Sequence, residues 1–237
     1  TFQLFWLCHC LAVAYPCFCK ANTIHVPGDQ TTIQQGIDLA EDGDTVLVAA
    51  GVYTGEGNYE IELLGKAIVV ISAAGAEETV IDAEGIGRYG FYLHQDEDHQ
   101  TVIKGFKVIN VTAGNFFSST GIYIEDSSPT IENCILENNG RGLFLEQTSA
   151  IISDCTISNN TTWSGIINRF GSSNAVIRNC LIVGNTSDVG GGIRVDVSPS
   201  PLYINCTIAG NKATQSGGGI FVSEDDLLRM RNCIIWG

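Results

Sequence analysis

Charge is what this 237-residue chain has least of. Only 16 % of its residues are charged, and 12 Lys and Arg stand against 26 Asp and Glu, for a formal net charge of −14. That balance disfavours polyanionic partners: nucleic acid and anionic lipid both carry the wrong sign. It also disfavours unaided binding of anionic polysaccharide, unless Ca²⁺ bridges the two. Helical periodicity is nearly missing as well, and with it the Leu-spaced, helix-bearing units of a leucine-rich repeat. Apolar residues make up 44 % and glycine is abundant at 27. This suits many turns around a buried core and argues against disorder. The length is that of one domain.

What is present is a repeated phrase. Glu132-Asn133-Cys134-Ile135-Leu136-Glu137-Asn138-Asn139 returns around Cys155, Cys180, Cys206 and Cys233, with a divergent copy in which Phe106 stands for Cys. Successive steps from Phe106 to Cys233 are 28, 21, 25, 26 and 27 residues by subtraction. A period in the twenties marks a solenoid, whose units bury their apolar faces only against their neighbours. Upstream of each phrase lies a Gly-led alternating strand, such as Gly121-Ile122-Tyr123-Ile124 or Gly142-Leu143-Phe144-Leu145. Between the two lies a short strand such as Pro129-Thr130-Ile131. These are period-2 segments rich in β-branched residues and bounded by turn formers. Each unit therefore reads as one coil of three short strands, stacked in parallel on the next.

In this pattern the chain resembles the right-handed parallel β-helix family of the pectate-lyase-like fold. The resemblance implies an all-β fold, a right-handed parallel β-helix solenoid with a short N-terminal capping helix. It implies no single activity, because that fold hosts lyases, hydrolases, esterases, phage tailspikes and non-catalytic surface proteins. The paired-Asp, Gly-His and Arg-x-Lys set of polygalacturonases is not found. Neither are the Asp-Phe-Ile-Phe-Gly element of pectin methylesterases and the Asp-Pro-His-Glu element of alginate epimerases. Asp225-Asp226 is a bare pair without such context. No family's catalytic residues are carried over.

Stacking predicts columns. Coils about 4.8 Å apart pile like residues on like. Cys134, Cys155, Cys180, Cys206 and Cys233 should form one inward column, and Leu136, Ile157, Ile182, Ile208 and Ile235 the next. Asn139, Asn160, Asn185 and Asn211 fall at one turn, where amides bond to the amides above and below. Cβ atoms about 4.8 Å apart lie beyond the disulfide range of roughly 3.5–4.5 Å, so free buried thiols are expected. A linear stack does not surround a zinc ion, and no metal site is expected.

Residues 1–19 carry no charge, no starting Met and no basic stretch. Residues 1–21 read as a secretory signal segment, with an uncleaved membrane anchor as the alternative. The β-helix domain then spans 22–237, with its cap at about 22–50. Thr31–Ala40 reads as the capping helix, with Asp29 or Thr31 as its N-cap. Asp42 and Asp44 read as turn residues. The last unit stops at Trp236-Gly237, so further coils are expected beyond it. His94-Gln95-Asp96-Glu97-Asp98-His99 reads as a solvated turn, with a divalent ion as the lesser alternative.

A site is sought on the outer face of the Gly-led strands. Alternation from the Gly puts the second and fourth residues outward. The second position carries Tyr92, Tyr123, Phe144, Ile167, Arg194 and Phe221, and the fourth His94, Glu125, Glu146, Arg169, Asp196 and Ser223. An exposed aromatic stripe beside carboxylates and guanidinium groups is what a sugar-binding face needs. Tyr92, Tyr123, Phe144, Arg169, Arg194 and Phe221 are therefore the candidate glycan contacts. Glu125, Glu146 and Asp196 are the only catalytic candidates, with Glu146 and Asp196 two coils or roughly 9–10 Å apart, near the separation that inversion by two carboxylates requires. The alternative is an ordinary sheet face. The expected protein is secreted or surface-attached, monomeric, without a cofactor unless Ca²⁺ takes part, and in contact with a polysaccharide or surface glycan. Nucleic acid and membrane insertion beyond residue 21 are not expected. A polysaccharide lyase or glycoside hydrolase and a structural stalk are the other readings.

Overall fold

A computed structural model describes residues 21–114, 119–171, 174–196, 200–224 and 226–237. Residues 1–20 lie outside it, and the signal-or-anchor reading with them. The described chain winds into a right-handed parallel β-solenoid of about eight turns. Each turn supplies one strand to each of three parallel sheets, of nine, seven and eight strands. The short strands between the Gly-led strand and the Cys phrase form the nine-stranded sheet, from Thr23–Val26 to Arg229–Arg231. The Gly-led strands form the seven-stranded sheet, from Ile61–Glu62 to Ile220–Val222. The strands after each Cys form the eight-stranded sheet, from Gly51–Tyr53 to Ile234–Trp236. A side ladder pairs Thr186–Val189 with Lys212–Ser216.

The first corner shows why the phrase has its form. The residue before each Cys takes a left-handed conformation, with φ between 51° and 56° at Asn133, Asp154, Asn179, Asn205 and Asn232. Asn and Asp tolerate that region better than other side chains. The turn swings the thiol inward. Cys134, Cys155, Cys180 and Cys206 are buried and Cys233 is half-buried, and all five are free thiols. Each of the first four donates to the carbonyl two residues before it, at 3.2–3.4 Å. Neighbouring thiols and burial push Cys155 well above the ordinary thiol range. The same sulfur contacts pull Cys134 and Cys180 down, and burial makes the column a set of small core groups.

The second corner is the asparagine ladder. Asn139, Asn160 and Asn185 are fully buried and Asn211 nearly so. Asn160 Oδ1 accepts from the Asn139 backbone N–H at 3.0 Å, and Asn160 Nδ2 donates to Leu136 O and to Asn185 Oδ1. Asn185 repeats the set with Asn211 and Ile157. The amides thus close backbone groups that the turn would otherwise orphan. Asn185, although it heads an Asn-Thr-Ser sequon, is locked in the interior.

Between the columns the lumen is filled by aliphatic residues at 0–2 % exposure, such as Val108, Leu136, Ile157 and Ile182. Phe106 stands in the Cys column and packs edge-on against Phe91. One polar pair crosses the lumen, Asn168 Nδ2 to Tyr203 Oη at 2.9 Å, both fully buried.

The helix Ile33–Leu39 covers the first coil with Ile33, Gly36 and Ile37. Its N-cap is Thr32, whose side chain accepts from Gln35 N–H. Neither expected cap residue fills that role: Asp29 instead accepts from His25 N–H. Asp44 accepts from the backbone of Glu41 and Asn22, and these bonds hold its carboxyl below the usual range. The 94–99 turn is also not simply solvated. Glu97 is 2 % exposed, and its carboxylate accepts from Gly65 N–H, Gln95 N–H and the Ser127 hydroxyl. It staples three turns together.

Candidate functional site

The outer face of the seven-stranded sheet brings the predicted residues into register. Tyr92 pairs with Tyr123, Tyr123 with Phe144, Phe144 with Ile167, Ile167 with Arg194 and Arg194 with Phe221. Two residues on, Glu125 pairs with Glu146, Glu146 with Arg169 and Arg169 with Asp196. His94 follows Leu93, the partner of Ile124, and so extends this second row by one rung.

The rings point outward as expected, but most are not exposed. Tyr123 is 4 % exposed, Phe144 0 % and Ile167 1 %. They form a second apolar cluster outside the lumen, flanked by Tyr89, Tyr92 and Trp163. The rings stack along the axis: Tyr92 on Tyr123 at 5.1 Å between centroids and Tyr123 on Phe144 at 4.7 Å. Tyr89 leans on both tyrosines. Arg141, itself fully buried, lays its guanidinium 4.4 Å over Phe144. Burial pulls Arg141 down to about 9, so it keeps its charge at neutral pH. The open stripe is thus a closed bed, and Tyr123 and Phe144 have no free face for a sugar. What remains open on its rim is part of Tyr89, Tyr92 and Trp163.

Above the bed the polar row is fixed by its own bonds. Tyr92 Oη donates to Glu125 Oε2 at 2.5 Å and Tyr123 Oη to Glu146 Oε2 at 2.8 Å. Each phenol thus anchors the carboxylate one coil further on. Burial, then these bonds, push both phenols up. Burial also raises Glu146, with Glu125 and Asp126 adding repulsion and the Tyr123 bond opposing it. His94 stacks on Tyr92 at 4.0 Å and 15°, with Nε2 3.6 Å from Glu62 Oε2.

The far end of the row differs from expectation. Asp196 is 4 % exposed and holds both arginines, Arg194 at 2.7 Å and Arg169 at 3.6 Å. It is therefore neither an exposed carboxylate nor a free partner for Glu146. The arginines are partly committed to it rather than open for a sugar acid. Phe221 is half-buried on the last rung and stands apart from the ring cluster.

Tyr89, Arg141, Trp163 and Glu62 were not among the predicted residues. Tyr89 and Arg141 sit directly before the Gly of their strands and pair with Thr120 on the strand between them. Strict alternation carried back past the Gly would have placed both inside; they lie outside because the period breaks at the Gly, where an added Cβ would meet Val108 or Ile157 of the lumen. Glu62 pairs with Tyr92 from a coil without a Gly-led strand, so nothing in the repeat marked its register.

Among the described residues no group of three or more His, Cys, Asp or Glu is arranged to hold a metal ion. No helix among them is long and apolar enough to cross a membrane.

The comparisons agree with this architecture. The family described as "right handed beta helix region" matches residues 82–237, and the chain belongs to that family. Among solved structures, the crystal structure of pectate lyase Pel9A superposes with a TM-score of 0.54 at 17 % sequence identity. The match covers 81 % of this chain and 64 % of the lyase, so the chain spans less than two thirds of that enzyme's length. At that identity the likeness is one of fold. No curated protein sequence matches the chain.

Proposed function

We propose that this protein contacts a polysaccharide or surface glycan along the outer face of its seven-stranded sheet, outside the cell or at its surface. One observation carries the reading. His94, Glu125, Glu146 and Arg169 form one row of partly exposed polar groups in register, beside the partly exposed Tyr92 of the aromatic bed. A rigid row of hydrogen-bonding groups next to an amphipathic ring suits sugar hydroxyls and C–H groups. The likeness to a pectate lyase supports the glycan class without fixing the sugar. The test is a glycan array with and without Ca²⁺, using wild type and Tyr92→Ala combined with Glu125→Gln. Binding to one glycan class, weakened at least tenfold by the double change, is the expected result. Silence across the array, or binding that the double change leaves intact, would contradict it and favour a stalk.

A second reading, glycoside hydrolysis, is favoured by the carboxylate pair. Glu125 and Glu146 sit on adjacent strands, about 4.8 Å apart by sheet geometry. That is close to the roughly 5–5.5 Å of retaining enzymes rather than the wider gap of inverting ones. The raised Glu146 would be the acid and Glu125 the nucleophile. A lyase is less well supported, because Arg169 and Arg194 lean on Asp196 instead of standing free as bases. Reducing-sugar release from a polysaccharide panel, abolished by Glu146→Gln, separates hydrolase from binder.

A further inference from the structure

We infer that the cavity under the cap helix is the terminal subsite of this glycan face and that it takes an amine-bearing sugar at a chain end. The inference rests on the glycan reading above and adds to it a position and a ligand chemistry.

The cavity has a volume of about 340 Å³ and is lined by Gln34, Glu56, Gly57, Tyr59, Glu60 and Glu62. This is near the lower end of the range for ligand pockets and suits a single small ring. Its place in the fold is what makes it terminal. Ile61–Glu62 is the last strand of the seven-stranded sheet at that end. Gln34 of the cap helix closes it, accepting from Glu62 N–H at 2.9 Å and donating to Glu62 O at 3.1 Å. Glu62 pairs with Tyr92 and so extends the aromatic row by one rung, while its carboxylate reaches His94 at the end of the polar row, so the cavity adjoins both rows. A chain lying across the strands along those rows runs into the helix here and ends.

The wall is built. Gly57 O accepts from Gln34 N–H at 2.9 Å, and the buried Asn58 side chain accepts from Ile33 N–H at 3.1 Å. Gly57 has φ +83°, and a Cβ on it would lie 2.8 Å from Thr32 Oγ1, so the loop is pressed onto the helix cap. Tyr59 packs against the core on one side and lines the cavity on the other.

The lining chooses the ligand. No Lys or Arg lines the cavity. Glu60 is spent on Arg88, at 3.1 Å; burial opposes its charge, but the Arg88 bonds hold its carboxyl below the usual range. Among the described residues Glu56 and Glu62 make no ion pair with Lys or Arg; Glu62 lies 3.6 Å from His94 Nε2 and feels the charge of Arg88, which is itself held by Glu60. Two such carboxylates beside a tyrosine ring attract an ammonium group by charge and by the ring face. They repel a uronate carboxylate at the same place.

The test uses isothermal calorimetry on the full chain. The probes are N-acetylglucosamine tetramers with one free amine on a terminal residue, in both end isomers, the fully acetylated tetramer, and a tetra-galacturonate. One amine-ended isomer is expected to bind at least fivefold more tightly than the acetylated tetramer, and the galacturonate most weakly. Glu62→Gln, melting like wild type, should bring the amine-to-acetyl ratio close to one. Tyr92→Ala should weaken both probes and keep the ratio. Equal binding of amine and acetyl forms, tighter binding of galacturonate, or a ratio unmoved by Glu62→Gln overturns the subsite while the Tyr92 result leaves the glycan face standing. If no tetramer binds wild type, the subsite falls, and the glycan array decides the face separately.

Discussion

Two sides of the same solenoid obey different rules. At the corner between the eight- and seven-stranded sheets, successive coils carry the same residue, and four asparagines fill one set of bonds over and over. On the outer face of the seven-stranded sheet, successive coils carry Glu, Glu, Arg and Asp at one position and Tyr, Tyr, Phe, Ile and Arg at another. The stacking geometry is identical in the two places. What differs is what the repeat requires. A corner must satisfy the same backbone groups in every coil, so one residue type serves throughout. An outer face has no such obligation, and its chemistry is free to vary along the axis. Identity along a column thus marks structure, and variation in register marks the surface where function is sought.

The contrast is sharpest in stability. Asn160→Leu leaves Asn139 N–H without its partner and removes one bond to Leu136 C=O in a dry corner. At about 1–3 kcal/mol for an orphaned group and about 1 kcal/mol for the second bond, the expected loss is about 2–4 kcal/mol, read from urea denaturation. A loss under about 1 kcal/mol would mean that the ladder is ornamental. Gly142→Ala comes next. Its Cβ would lie 2.4 Å from Ile157 Cγ2 and 2.7 Å from Gly165 O, so the coils must part, at about 1–3 kcal/mol. Cys155→Ala should cost about 1 kcal/mol, since it removes one sulfur from a column of small groups. Alkylation followed by peptide mapping should modify Cys233 well before Cys134, Cys155, Cys180 and Cys206. Equal labelling would break the column.

The smallest stability effects are expected on the variable face, and they come with a pH signature. Glu146 has its carboxyl raised in the folded state by burial. The native form therefore holds that proton at higher pH than the unfolded chain does. Its contribution to stability is complete below the unfolded pKa and fades as pH rises through the folded value. Glu146→Gln should accordingly melt no lower than wild type at neutral pH, with its advantage shrinking toward pH 4. Tyr123→Phe removes the donor that holds Glu146 down, and a carboxyl NMR titration should then move Glu146 further up. A downward move would contradict the assigned bond.

The corners could be read directly from the chain because Cys and Asn recur at fixed offsets from each other, and parallel stacking turns fixed offsets into columns. The pairing of Glu125, Glu146, Arg169 and Asp196 was legible for the same reason. Exposure was not. Nothing in the repeat says that Arg141 covers Phe144, or that Asp196 sinks to gather two arginines, because those contacts join residues that occur once. Tyr89 was missed for a narrower reason: the alternation breaks at Gly90, and a strict period of two would have turned Tyr89 inward. Glu97 looked like one more acid in a charged turn. Its burial depends on Gly65 and Ser127, far from it in sequence, arriving from neighbouring coils.

Carbodiimide footprinting of carboxylates tests the central claim most directly. Glu125 and Glu146 lie on the proposed face. Glu132 and Glu137, with 28 % and 24 % of their side chains exposed, lie on the other two sheets and serve as internal controls. With saturating oligosaccharide, mass spectrometry should show labelling of Glu125 and Glu146 reduced severalfold and that of Glu132 and Glu137 unchanged. Protection of Glu132 or Glu137 instead, or the same labelling at all four with ligand bound, would put the contact elsewhere on the solenoid.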